Sequence, residues 1–170
     1  MTTCTARARH VRMPKRFWQW IALAVVVIAL DQVTKHVIEA AFAYGDVRPV
    51  IPGFFNLTLA YNPGAAFSFL ADAGGWQRHF FTVLALGVSV FIVLTLRKHH
   101  AESLFSLSLS LIMGGALGNV IDRVLFGHVI DFIQVYYRNW YYPAFNLADS
   151  AICVGAALMV WDSFRKKDSA

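Results

Sequence analysis

The chain has 170 residues, of which 58% are hydrophobic and 15% charged, whereas a soluble domain carries about a quarter charged. Its net charge of +5 sits in short groups beside apolar runs, which excludes a nucleic-acid patch and fits orientation in a bilayer. The length allows one domain, and the composition makes it an integral membrane domain.

Four apolar runs, near 17–39, 80–97, 103–125 and 144–165, are each long enough to cross about 30 Å of hydrocarbon. Backbone in lipid must satisfy its own hydrogen bonds, so the runs are expected as four transmembrane helices. A soluble bundle would need polar helix faces, which a run such as IALAVVVIAL lacks.

Residues 1–15 form a basic tail, with Arg7, Arg9, Arg12 and Lys15 ahead of the first run. Arg97, Lys98, His99 and His100 separate the second and third runs, and Arg165, Lys166 and Lys167 follow the fourth. The positive-inside rule then makes both termini cytoplasmic and puts 44–79 and 126–143 outside. Cys4 in the tail and Cys153 in the fourth run cannot meet in a disulfide. The basic start and apolar run imitate a secretory signal peptide. Asp31, Lys35 and Glu39 interrupt the run, and no small-residue cleavage site follows it, so an uncleaved first span is expected.

In the first helix Asp31 and Lys35 are four residues apart on one face. The bland reading is an ion pair whose lysine snorkels outward. The other is a functional site, the default for an intramembrane charge. Segment 44–79 is punctuated by Pro49, Pro52 and Gly53, and FFNLTLAY favours strands, so a small sheet on the outer membrane surface is expected. NPGAAFSF at 62–69 sets a turn at Pro63 and Gly64, with Ala65 and Ala66 leaving room for close approach and Phe67 and Phe69 facing the membrane boundary. The second span is apolar scaffold. In the third, Gly114, Gly115 and Gly118 permit close helix contact. Asn119, Asp122 and Arg123 follow within one turn, and Arg123 is the natural partner expected for Asp122. Segment 126–143 returns to the interface as strand or short helix and contains Asp131. Pro143 opens the fourth span, where Asn146 and Asp149 stand at i,i+3.

This topology brings Asp31, Asn119, Asp122, Asp131, Asn146 and Asp149 to one depth at the outer side, while the cytoplasmic side shows no comparable cluster. Two neighbouring carboxylates cannot both ionise cheaply, so they share a proton and serve as base toward water and acid toward a leaving amine. No Gly-x-Ser-x-Gly elbow, His-Glu-x-x-His helix or spaced His/Cys set is present. Asp149 could instead be a helix-start residue near a positive dipole end, Asp122 a salt-bridge partner and Asp131 simply exposed. Pattern alone does not name the pair.

The blocks DQVTK (31–35), NPGAAFSF (62–69), GNVIDR (118–123), VIDF (129–132) and FNLADS (145–150) stand in this order along the chain. In them it resembles the lipoprotein signal peptidases (signal peptidase II), membrane aspartic peptidases blocked by globomycin. The resemblance implies that Asp131 and Asp149 are the catalytic pair. It implies that Asn62, Gly64, Asn119, Asp122, Arg123 and Asn146 position substrate or support the pair, and that Asp31 and Lys35 hold the architecture. The implied substrate is a diacylglyceryl prolipoprotein cut before its lipidated cysteine, at the periplasmic face of a bacterial inner membrane. No cofactor or metal is expected. The expected partners are substrate and membrane lipids, with no nucleic acid, and the chain is expected to act as a monomer. Two other classes stand beside this one: a proton-relay or transport subunit, which would need a polar path to the cytoplasm, and a scaffold indifferent to its aspartates.

Overall fold

The computed structural model describes residues 13–64 and 75–167. Residues 1–12 of the basic tail, with Cys4, and the part of NPGAAFSF holding Ala65, Ala66, Phe67 and Phe69 lie outside the described residues, and Lys15 of the tail already belongs to the first helix.

Among the described residues there are four long helices, α1 (Lys15–Ala41), α2 (Trp76–His99), α3 (Ser103–Leu125) and α4 (Leu147–Lys167). Each is long and apolar enough to cross a membrane. The strands are β1 (Val47–Ile51) and β2 (Phe55–Asn62) between α1 and α2, and β3 (Val129–Tyr137) and β4 (Trp140–Tyr141) between α3 and α4. They form one antiparallel sheet in the order β1-β2-β3-β4. Four spans with a small sheet is the architecture the sequence leads one to expect.

The helix boundaries differ from expectation at two places. α2 starts at Trp76 rather than near 80, so the second span takes in Gln77 and Arg78. α4 starts at Leu147 rather than at Pro143 or Ala144. Phe145 is still extended and exchanges backbone hydrogen bonds with Ile133 of β3. The helix begins only where Asn146 can cap it.

α3 is the central helix. It packs against α1, α2 and α4 and is buried over more of its length than any of the three. The others turn Val25, Val33, Val83, Phe91, Val160 and Phe164 outward, as helices bathed in lipid do. Without a hydrophobic force between helices in lipid, close packing must hold them, and small residues allow it. Gly115 shows how close: a Cβ there would stand 2.3 Å from the Ala148 carbonyl oxygen of α4. At Gly118 it would stand 2.7 Å from Asp31 Oδ2.

The sheet sits across one end of the bundle. Ile130 and Phe132 of β3 pack with Leu59 of β2 and Ile38 near the end of α1. Side chains alternate along a strand, so Asp131, between Ile130 and Phe132, points the opposite way. It is 3% exposed. The register sets Ala60 opposite Asp131 and Asn62 opposite Val129, leaving Asn62 diagonal to Asp131 on the same face.

Gly115→Ala is expected to lower stability by about 1–3 kcal/mol through overpacking of α3 on α4. Thermal unfolding of the detergent-solubilised protein measures this, with Gly87→Ala, where nothing lies within 4 Å, as the comparison.

Candidate active site

Lys35 is fully buried and does not snorkel. Its ammonium turns into the bundle, 2.7 Å from Asp31 Oδ2, 2.7 Å from Asp122 Oδ2 and 3.0 Å from Asn119 Oδ1. Asp122 is therefore not the ion-pair partner of Arg123. Adjacent residues on a helix face different directions, and the side of α3 carrying Asp122 is the one turned toward α1. Asp122 also accepts the Ile130 N–H at 3.2 Å, fixing the residue before Asp131. Asp31 Oδ1 accepts the Ala148 N–H of α4 at 2.9 Å, satisfying one of the donors a helix start leaves open.

Gln32, which sequence reasoning passed over, belongs to the same group. Its Nε2 donates to Asp122 Oδ1 at 2.7 Å and to the Gly118 carbonyl at 3.3 Å. The signal was available, because an amide in an apolar span is as costly as a charge is unusual.

Asn146 joins the two halves of the site. Its Oδ1 accepts the Asp149 N–H at 2.9 Å, and its own N–H donates to Asp149 Oδ2 at 3.3 Å. This is a reciprocal cap of the capping-box kind. Its Nδ2 donates to Asp131 Oδ1 at 2.7 Å, to the Ile130 carbonyl at 3.2 Å and to Asn119 Oδ1 at 3.2 Å. One fully buried asparagine thus contacts the carboxyl groups of both Asp131 and Asp149. The helix-start reading of Asp149 and its place in the cluster are one and the same feature.

The remaining contacts close the set. Asn119 Nδ2 donates to Asp149 Oδ1 at 2.8 Å. Asn62 Nδ2 donates to Asp131 Oδ2 at 3.2 Å, and the Gly64 N–H returns to Asn62 Oδ1 at 2.9 Å. Gly64 has φ +116°, and a Cβ on it would press to 3.1 Å from Gln77 Cβ, so glycine is needed there on both counts. Arg123 donates to its own helix at the Asn119 carbonyl, 3.4 Å away, and its guanidinium stands 5.4 Å from the Phe81 ring. The Arg123 Nε is buried with no hydrogen-bond partner among the described residues.

A cleft of about 540 Å³ opens beside this cluster, lined among others by Asn62, Phe81, Arg123, Asp149 and Ser150. Asp149 lines it, while Asp131 is sealed beneath. Burial, and then the neighbouring Asp149 charge, push the Asp131 carboxyl up to about 7. Among the described residues no group of three or more His, Cys, Asp or Glu is placed to hold a metal ion.

The opposite end of the bundle carries ion pairs of its own, among the cationic groups seen in the sequence. Asp162, 4% exposed at its side chain, pairs with Arg165 at 3.0 Å and Lys166 at 2.9 Å, and Lys166 reaches Glu102 at the start of α3. Asp162, Arg165 and Lys166 are neighbours on one helix, whereas the link to Glu102 spans 64 residues, so only packing reveals it. The cluster's cations are half exposed, and it ties α4 to α3 as surface ion pairs do.

The family model described as signal peptidase (SPase) II matches residues 23–165. The chain belongs to the signal peptidase II family. It is 61% identical to the lipoprotein signal peptidase of Chromobacterium violaceum over 153 residues, covering 89% of this chain and 94% of that one. The lipoprotein signal peptidase of Janthinobacterium sp. (strain Marseille) is 54% identical over 147 residues, covering 86% and 88%. A bacterial membrane enzyme solved by the in meso method at 2.3 Å resolution shares the fold with a TM-score of 0.80 at 34% identity, over 89% of this chain and 91% of that one. This chain is thus a protease and a multi-pass bacterial membrane protein.

Asn146→Ala should cost stability as well as order, since it removes a helix cap and the donors to Asp131 and the Ile130 carbonyl. A loss of about 1–3 kcal/mol is expected from buried partners left unpaired. Asn62→Ala, which loses the 3.2 Å bond to Asp131 and the 2.9 Å bond from the Gly64 N–H at the cleft edge but no helix cap, should unfold at a temperature closer to that of the unaltered protein in the same thermal melt.

Proposed function

We propose that this member of the signal peptidase II family cuts diacylglyceryl prolipoproteins before the lipidated cysteine, with Asp131 and Asp149 as its catalytic pair. The observation that carries the reading is that Asn146 contacts both carboxyl groups, from β3 and from the head of α4. The one carboxyl is sealed, and the other lines the cleft. Burial and the Asp149 charge make Asp131 the member that holds the shared proton near neutral pH.

The reaction then runs as follows. The Asp149 carboxylate takes a proton from a water whose oxygen adds to the scissile carbonyl carbon. Asp131 gives its proton to the cysteine nitrogen as the carbon–nitrogen bond breaks. The products are a new carboxyl terminus and a free amine, and the proton has passed from one aspartate to the other. Proton exchange within the pair restores the starting state. General acid–base help of this kind is worth roughly 10²–10⁴-fold in rate.

The supporting groups take their roles from position. Asn62 and Gly64 hold one edge of the cleft against Asp131. Arg123, with its unpartnered Nε, is placed to meet the carbonyl oxygen as charge builds there. Asn119, Asn146 and Asp122 keep the pair in place. A second, smaller groove of about 310 Å³ shares Phe81, Arg123 and Asp149 with the cleft and continues between α2, α3 and α4 past Val88, Ile112 and Ile152. Its apolar walls suit a substrate that carries acyl chains. The cationic helix ends support a reading with both termini in the cytoplasm and the cleft toward the outer leaflet, where substrate would meet a single copy of the chain.

Incubating the purified protein with a diacylglyceryl prolipoprotein and following the released signal peptide tests the reading. Asp131→Asn and Asp149→Asn should each retain the fold and lose roughly 10²–10⁴-fold in rate. Cleavage at the native rate by either variant overturns the assignment. The pH dependence has a defined sign. Asp131 acts as an acid with its carboxyl up at about 7, so kcat/KM should fall as pH rises through that value and the proton is lost.

A further inference from the structure

Lys35 has so far only a structural part, yet its surroundings are unusual for one. Tying α1 to α3 would need a single carboxylate facing the ammonium. Lys35 instead faces Asp31 and Asp122 and, at 3.0 Å, the side-chain oxygen of Asn119. The other end of that amide donates to Asp149 at 2.8 Å. The same Asn119 oxygen accepts Asn146 Nδ2 at 3.2 Å, and that nitrogen reaches Asp131 at 2.7 Å. The ammonium therefore lies one amide away from Asp149 and two amides away from Asp131, all within a buried set.

We infer that Lys35 is a positioning residue which, through Asn119, supplies the positive charge that keeps the aspartate pair at one proton rather than two. The inference rests on the reading that Asp131 and Asp149 carry out the cleavage. Two carboxyl groups in a dry site favour taking a proton each, and a doubly protonated pair has no base with which to activate water. A cation directed at Asn119 Oδ1 polarises the amide and strengthens the bond its Nδ2 donates to the Asp149 carboxyl group. The same charge pulls Asp131 downward, against burial and the Asp149 charge.

The charged groups around the pair are Lys35 and Asp31 from α1, Asp122 and Arg123 from α3, and the two aspartates themselves from β3 and α4, while β2 offers the uncharged Asn62. The Arg123 charge also acts on Asp149 and Asp131, but from the wall of the cleft, where water and substrate share it. Lys35 is sealed at 0% exposure, so its effect is the same before substrate enters and after.

The test is the pH profile of signal-peptide release from a diacylglyceryl prolipoprotein by the full chain in detergent, for Lys35→Met, Lys35→Arg, Asp31→Asn and Asp122→Asn. Removing the cation should move both limits of the active range to higher pH by about one unit, the size expected of a single charge across an intervening amide. Removing either neighbouring carboxylate should move both limits to lower pH. Lys35→Arg should keep the native limits even where its rate is lower. Lys35→Met leaves two carboxylates uncompensated and can fail to fold, in which case the Asn variants, which keep shape and cation, decide the matter alone. Shifts of opposite sign support the inference. Limits that stay put while activity falls evenly at every pH, or that move the same way in all variants, reduce Lys35 to a structural tie and overturn it. Asp131→Asn and Asp149→Asn run alongside: cleavage at the native rate by either sinks the reading of the pair, whereas an unmoved profile with both variants slowed sinks only the role of Lys35.

Discussion

A lysine ammonium with no access to water, held between the carboxylates of Asp31 and Asp122, is the interaction on which the rest of this structure depends. Breaking a buried ion pair by removing one partner costs about 3–5 kcal/mol, because it strands a charge in a medium that cannot solvate it. The three side chains therefore hold one another in place. What they hold extends outward. Asp31 anchors the first turn of α4, Asp122 anchors the start of β3, and Lys35 itself anchors Asn119.

Seen from that frame, the two aspartates are terminal points of a rigid network. Asp131 belongs to a short strand and Asp149 to a helix start, two kinds of backbone that would otherwise move independently. Asn146 links them through its side-chain amide and its backbone N–H, and Asn119 links them back to the ion set. Preorganisation of this sort is worth most where water is excluded, since fixed dipoles need not reorient as charge develops. The close glycine contacts of α3 serve the same end. At Gly118 a side chain would displace Asp31, and with it the head of α4.

The membrane sets which contacts matter. Large apolar side chains face outward on α1, α2 and α4 without stabilising one helix against another. Helix association is left to small residues, to the few buried polar contacts and to the ion pairs at each end. The polar cluster therefore both holds the bundle together and forms the candidate site.

How much of this was legible in sequence differs residue by residue. Spans of twenty apolar residues announce themselves, since hydrocarbon thickness fixes the length and backbone hydrogen bonding fixes the helix. The third span was legible to the residue, and FNLTLAY read as strand is β2. Motif blocks carried the family and named Asp131, Asp149 and their polar companions. Pairing was not legible. Arg123 next to Asp122 looked like a salt bridge, and Lys35 near a helix end looked like a snorkelling lysine. Both readings used neighbours in sequence, while burial is decided by the face a helix turns toward its partners. Gln32 went unnoticed for the same reason, and Asp162 with Glu102 at the far end likewise.

The sequence by itself determined the number of spans, the family and the residues that bear charge inside the membrane, because composition and local period dictate those. Only the tertiary structure decided that α4 waits until Leu147, that Asn146 joins Asp131 to Asp149, and that Lys35 points inward to Asn119. Each of these depends on groups brought together from distant segments, and the cost of an unsatisfied polar group in a dry interior selects among the pairings that sequence leaves open.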